Sequence, residues 1–328
     1  MTNQMRQPPA QGTKPAPSII SGNFKVMHRP GFAFEQARRR LMQQGFQLQE
    51  TSHFLLARAP ASQVVTLVHC FTPQEIDNNL GDYLLQELEP MGLMASDQAF
   101  GSALLGVVHS VTPHDPVGAW NLFSMNTLHR LREQLDDTSS QADRQDTITA
   151  SASVYRRLFA LKVGTSLLDV GCACAFWPIL VAEREQDKGG RVVGVDSRRD
   201  AINLSKNLAA LTTTNHLEFL QVDVLAPDFP QLGPFDMVTS IHMLEHLPES
   251  RLSQAFEHLL RVTRHRLIIA VPYEEQATAA YGHEQVFTHE KLEKWGRWCV
   301  ERVGNPAQYW CEEVGSGLLI VDRLKTLI

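Results

Sequence analysis

The sequence predicts a doubly wound α/β domain with a mostly parallel sheet, preceded by a smaller α+β unit. Three observations carry this expectation. From residue 151 onward, short apolar runs alternate with amphipathic stretches, as strands and covering helices do in a parallel sheet. The run from Ser166 to Val170 passes straight into a loop of small residues, 171–175, and then into a helix expected over 177–185. Two further apolar runs, 191–196 and 217–223, each close on an aspartate, Asp196 and Asp223.

The elements follow in order. Residues 1–21 are rich in Gln, Pro, Thr and Ala and predict a disordered tail. The domain expected over 22–135 starts with a helix at 34–45, ended by Gly45, and continues with strands at 46–57 and 64–71. Thr72, Pro73 and Glu75 form a capping-box pattern for a helix running to about Leu88. A helix is expected over 96–111, stopped by Pro113 and Pro116, and an amphipathic one over 120–135. The polar stretch 136–150 reads as a linker to a second domain over 151–328. There, helices are expected at 198–210, 249–262 and 288–298, and strands at 235–241 and 266–272. Runs at 308–314 and 318–324 flank Gly315, Ser316 and Gly317, a hairpin signal at the end of the sheet.

Composition narrows the function classes. A chain of 328 residues with 43% hydrophobic and 20% charged residues is an ordinary globular protein of about two domains. A formal net charge of −6 argues against a nucleic-acid partner. Five cysteines, an odd number without paired spacing, point to a reducing compartment, and cytoplasm is the expected location. No apolar run reaches the roughly 20 residues of a membrane helix, so no membrane partner is expected.

The loop at Gly171, Ala173 and Ala175 lets a ligand approach the backbone, and the helix after it offers free N–H groups to that ligand. A carboxylate at the end of the second strand, Asp196, is placed to accept hydrogen bonds from ribose hydroxyls. The fourth strand runs into His242, Met243, Leu244, Glu245, His246, Leu247 and Pro248. Asp169 with its small-residue loop, Asp196, Asp223 and the Leu-Glu-His-Leu run stand in the order found in class I S-adenosylmethionine (SAM)-dependent methyltransferases, which the stretch from Tyr155 to Ile328 resembles. The departure is alanine at 173 and 175 where that family has glycine, and alanine adopts positive φ at a cost, so a different loop path is expected.

The resemblance implies a seven-stranded Rossmann-like sheet with a terminal antiparallel hairpin, and SAM as cofactor. It places cofactor contacts at Asp169, Gly171, Ala173, Ala175, Asp196, Ser197, Asp223, Val224, Ser240 and Ile241. Its candidate catalytic groups are His242, Glu245, His246 and His283. The residues Pro272, Glu274, Glu275, Tyr281, Gly282, His283 and Phe287 are similar to an arrangement in sugar and oligosaccharide methyltransferases, the mycofactocin oligosaccharide methyltransferase among them. A small-molecule or oligosaccharide acceptor, most simply a sugar hydroxyl, is therefore expected. The N-terminal unit is expected to select substrate or to form a homodimer.

Other classes compete for the same residues. A nicotinamide-dependent oxidoreductase would want Gly-x-Gly-x-x-Gly, and the third position falls on Phe176. A non-catalytic binding module that keeps the fold stays open because of the two alanines. His242, Glu245 and His246 also match an inverted zinc-protease pattern, which requires both histidines on one helical face and a third ligand downstream. No metal is assigned, and a magnesium ion held by Glu245, Glu274 and Glu275 with water is left open.

Overall fold

A computed structural model of the chain describes residues 18–60, 62–137, 146–185, 189–214 and 216–323. Most of the expected tail and residues 138–145 of the expected linker lie outside them.

The N-terminal unit is a five-stranded sheet in the order β1-β2-β5-β4-β3. Its strands are β1 (Ile19–Ser21), β2 (Phe24–His28), β3 (Gln47–Glu50), β4 (Phe54–Arg58) and β5 (Val65–His69). Only β2 and β5 pair in parallel. Helix α1 (Phe32–Gln43) lays Ala37 and Leu41 on one face, against Leu55, Ala57 and Val68. Helices α2 (Leu80–Leu88) and α3 (Asp97–Val111) cover the other, over Phe24, Val26, Phe54 and Leu67.

Several local expectations are corrected here. The strand expected over 46–57 is two strands, because the Thr51 N–H bonds the Phe54 carbonyl at 2.9 Å and closes a turn between them. The Thr72–Glu75 capping box forms, with the Thr72 N–H donating to Glu75 Oε2 at 2.7 Å, but it encloses a single 3₁₀ turn, Pro73–Glu75. The chain leaves that turn through Asp77, whose carboxylate accepts from the Asn79 N–H at 2.9 Å, and α2 begins only at Leu80. Pro116 does not stop a helix; it opens α4 (Pro116–Asp136), capped by Asp115 accepting from the Gly118 N–H at 2.8 Å. Helix α5 (Thr147–Ala160) begins within the stretch read as linker.

The C-terminal domain is the expected seven-stranded sheet, in the order β11-β12-β10-β9-β6-β7-β8. Its strands are β6 (Ser166–Val170), β7 (Arg191–Asp196), β8 (Leu217–Gln221), β9 (Phe235–Ile241), β10 (Thr263–Val271), β11 (Gln308–Glu313) and β12 (Gly317–Asp322). From β8 to β10 all pairings are parallel, and the β11–β12 hairpin closes the edge antiparallel. Helices α5, α6 (Phe176–Arg184) and α7 (Arg199–Ala210) pack on one face of the sheet. Helices α8 (Glu249–Val262) and α9 (His289–Val303) pack on the other. Strand β8 ends at Gln221, two residues short of Asp223, so that aspartate sits in the loop and not at a strand terminus.

Helix α4 belongs to both domains. Its first half adds Ala119 and Phe123 to the N-terminal core, and its second half adds Leu128, Leu131 and Leu135 to the core beneath the seven-stranded sheet. Across the same seam, the Asp82 carboxylate accepts from the Thr147 backbone N–H at 2.8 Å and its hydroxyl at 2.6 Å, and Asn79 Oδ1 accepts from the Ile148 N–H at 3.0 Å. The N-terminal domain thus supplies partners for the free amides at the start of α5.

Candidate functional site

Strands β6 and β9 are neighbours, but the chain leaves β6 toward β7 on one side and returns to β9 on the other. Ligands in open α/β sheets bind in the crevice beyond the strand ends at such a reversal. A cavity of about 520 Å³ opens there, lined by the ends of β6, β7 and β9, the loop after β8, and Tyr281 and Gly282 from the loop after β10. Asp97, at the first turn of α3, also lines it, so the N-terminal domain forms part of the wall.

The loop after β6 follows the path that glycines would take. Ala173 has φ 45° and Ala175 φ 61°, both left-handed, at a cost of about 1–2 kcal/mol each. The expectation of a different path is therefore wrong: the alanines accept the strain. What holds Ala173 is Asp196, whose Oδ2 accepts from the Ala173 N–H at 3.1 Å, while Oδ1 accepts from the Arg198 N–H at 2.9 Å. Ser205 Oγ also donates to the Ala173 carbonyl at 2.7 Å. Gly171 is required twice over, by φ 78° and because a Cβ there would lie 2.5 Å from Met243 Cγ.

Of the expected cofactor residues, Gly171, Ala173, Asp196, Ser197, Asp223 and Val224 line the cavity. Asp169, Ala175, Ser240 and Ile241 are not among its lining residues. Asp169 is buried, and its Oδ1 accepts from Thr239 Oγ1 at 2.7 Å, joining β6 to β9. Burial pushes its carboxyl up to about 7, opposed by the Thr239 hydrogen bond and assisted by the neighbouring Asp196 charge. Asp169 thus stands within the sheet and not on the cavity wall. Ser240 is likewise buried. Cys174, in the small-residue loop, is held as a thiol by burial, which raises it to about 11. Among the wall residues that sequence reasoning missed are Arg198 and Met243, which follow motif positions, and Asp97, which no local pattern could bring to this end of another domain's sheet.

Of the candidate catalytic residues, His242 and His246 line the cavity, while Glu245 and His283 are not among its lining residues. His242 stands just beyond β9 with φ 50°, a conformation that non-glycine residues adopt at a cost of about 1–3 kcal/mol. Its Nε2 is 3.0 Å from Ser316 Oγ in the β11–β12 turn, and its Nδ1 is 3.3 Å from Glu245 Oε1, near enough for charge attraction but not aligned as a hydrogen bond. Glu245 is fully buried in the 3₁₀ turn Leu244–His246. His246 lines the cavity, and His283 lies behind it, their rings edge to face at 5.0 Å. The loops after β9 and β10 are tied together: the Glu284 N–H donates to the Glu245 carbonyl at 2.9 Å, and Gln285 Nε2 to the Leu244 carbonyl at 3.1 Å. Glu274 stands with this group, its Oε2 2.8 Å from His283 Nδ1, and Glu275 is exposed. Among the described residues, no helix is long and apolar enough to cross a membrane.

Comparison with known proteins bears on the same segment. A family model described as a methyltransferase domain matches residues 167–266. The ubiquinone biosynthesis O-methyltransferase of Albidiferax ferrireducens is 33% identical over 86 residues, 26% of this chain and 32% of that protein. The enzyme of the same name from Acinetobacter baylyi is 30% identical over 86 residues, 26% of this chain and 34% of its own. The chain thus spans about a third of the length of these curated relatives. Among solved structures, magnesium protoporphyrin IX methyltransferase from Synechocystis PCC 6803 with bound S-adenosylhomocysteine (SAH) is 19% identical, with 60% of this chain and 93% of that one covered and a TM-score of 0.41. The family model, the strand order and the loop agree: residues 167–266 match a methyltransferase domain, and SAM is its cofactor.

Proposed function

We propose that the chain is an O-methyltransferase acting on a hydroxylated small molecule or glycan, with a sugar hydroxyl as the acceptor group. The observation that carries this reading is that one cavity is walled both by the β6 loop and Asp196, which suit an adenosyl group, and by His242, His246 and Tyr281, which suit a hydroxylated acceptor. The names of the partial relatives, both O-methyltransferases, support oxygen as the receiving atom. Tyr281 is the one Phe, Tyr or Trp among the lining residues, which favours a polar acceptor over a broad aromatic one.

In the reaction, the acceptor oxygen attacks the methyl carbon of SAM. The new C–O bond forms as the C–S bond breaks, the sulfonium becomes the neutral thioether of SAH, and the hydroxyl proton is released. An unactivated hydroxyl needs that proton taken as the bond forms, a role worth about 10²–10⁴-fold. His242 is the first candidate base, since it stands on the cavity wall with a buried carboxylate behind Nδ1. His283 is the second. Holding the two reactants in line supplies the larger share, up to ~7–11 kcal/mol.

Two variants and a substrate screen test this. Asp196→Ala should weaken SAM binding by about 1.5–3 kcal/mol in calorimetry, the scale of hydrogen bonds to a charged group. His242→Ala should lower kcat far more than it weakens SAM binding. In a matched screen of sugars, phenols and amines, turnover confined to phenols or amines would sink the sugar assignment, and absence of SAM or SAH binding at millimolar concentration would sink the activity.

A further inference from the structure

Glu245 presents a problem that cofactor binding does not solve. It is 0% exposed, and neither of its carboxylate oxygens has a hydrogen-bond partner among the described residues. A buried carboxylate without hydrogen bonds is costly unless a positive charge stands beside it. One ligand atom each from Glu245, His246 and His283 lie within 4.8 Å of one another, a spread that a small closure brings onto one ion at ~2.0–2.2 Å.

The two imidazoles are oriented for that role. His283 Nδ1 is 2.8 Å from Glu274 Oε2, and the other oxygen of Glu274 is fixed by Thr278 Oγ1 donating at 2.7 Å. His246 Nδ1 is 3.3 Å from the Gly282 carbonyl. An acceptor at Nδ1 keeps the ring proton there and leaves the Nε2 lone pair free, the arrangement by which carboxylates and carbonyls set metal-binding histidines. The downstream group that the zinc pattern demanded has a counterpart in His283, which stands with Glu245 and His246 and not with His242. It comes from the loop after β10.

We propose that Glu245, His246 and His283 bind one divalent transition-metal ion, Zn²⁺ or Mn²⁺, with its open positions facing the cavity beside His246. Two imidazoles and one carboxylate favour such ions over magnesium. Glu274 is a positioning residue, acting through His283. The inference rests on reading the cavity wall around His246 as the acceptor site: there the ion would hold the acceptor hydroxyl, lowering its pKa, while His242 takes the proton. His242 also offers the competing explanation, since its ring stands 3.3 Å from Glu245 and is itself a candidate partner for that carboxylate with no ion at all.

The test uses the full chain, stripped with chelator and titrated by calorimetry with Zn²⁺ and with Mn²⁺, and loaded with Co²⁺ for its visible spectrum. One ion per chain is expected. Glu245→Gln and His283→Ala should each weaken binding by ~100-fold or more and abolish the Co²⁺ bands, and Glu274→Gln should weaken it by ~10–100-fold. His242→Gln should leave metal affinity within about threefold. SAH affinity, measured on the same preparations without metal, reports folding; if His283→Ala fails that control, His246→Ala at the exposed ligand replaces it. The proposal is overturned if no ion binds below millimolar concentration, if binding survives Glu245→Gln and His283→Ala alike, or if it depends on His242 alone. SAH binding without metal binding removes the metal site and leaves the methyltransferase reading; metal binding without SAH binding does the reverse.

Discussion

Asp169 shows how one buried side chain can set the pH response of the whole domain. Its folded pKa, about 7, lies above that of an unfolded aspartate, so the native state holds the proton longer. The stability this contributes is complete below pH ~4 and is lost at ~1.4 kcal/mol per unit as pH rises toward 7. His69 runs the other way: burial lowers it to about 3, so below pH ~6.5 the unfolded chain takes the proton first and acidification destabilises the fold. His69 sits against Ser110 and the His28 ring in the N-terminal domain, far from Asp169 in the chain. The two slopes oppose each other, so the parent protein alone will not reveal either. Asp169→Asn separates them, since its amide oxygen still accepts from Thr239. Urea unfolding from pH 4 to 8 should show the variant gaining on the parent as pH rises, by up to ~4 kcal/mol. A difference that does not change with pH would refute the assignment.

At the scale of elements, the loop between β6 and α6 carries a strain that glycine would remove. Ala173→Gly should raise stability by roughly 0.5–1 kcal/mol in thermal unfolding and leave SAH affinity unchanged, because the backbone already takes the glycine path. Ala175→Gly should gain less, since its methyl is fully buried and would leave a gap. A loss of stability at Ala173 would show that the left-handed conformation is not costly there. Much of this region was legible in the sequence. Strand Phe235–Ile241, helix Glu249–Val262 and the terminal hairpin fall where apolar runs and glycines put them, since each is bounded by strong local punctuation. The β1–β2 pair escaped notice because two short strands beside a polar tail have no local signature; their partner, β5, lies far along the chain. In the site, Asp196 and His242 announced themselves by position after a strand. The pairing of His246 with His283 did not, because only the hydrogen bonds between the two loops create it.

The whole molecule turns on α4, which places Phe123 in one core and Leu128, Leu131 and Leu135 in the other. Two domains sharing a rigid helix should unfold as one. Leu131→Ala, costing about 2–5 kcal/mol, should lower both domains' midpoints together, read from Trp120 in the N-terminal domain and Trp177 in the C-terminal one. Separate midpoints would show that the helix merely spans the seam. The shared helix also has a consequence for synthesis. The ribosome completes α4 long before Leu318 and Ile320 of β12, which help close the core around its second half. At ~5–20 residues per second, the leucine stripe waits roughly ten to forty seconds for its last cover. During that interval the leucine face of α4 lacks its cover and the N-terminal core still awaits Ala280 from the loop after β10, the form in which a holding chaperone would meet this protein.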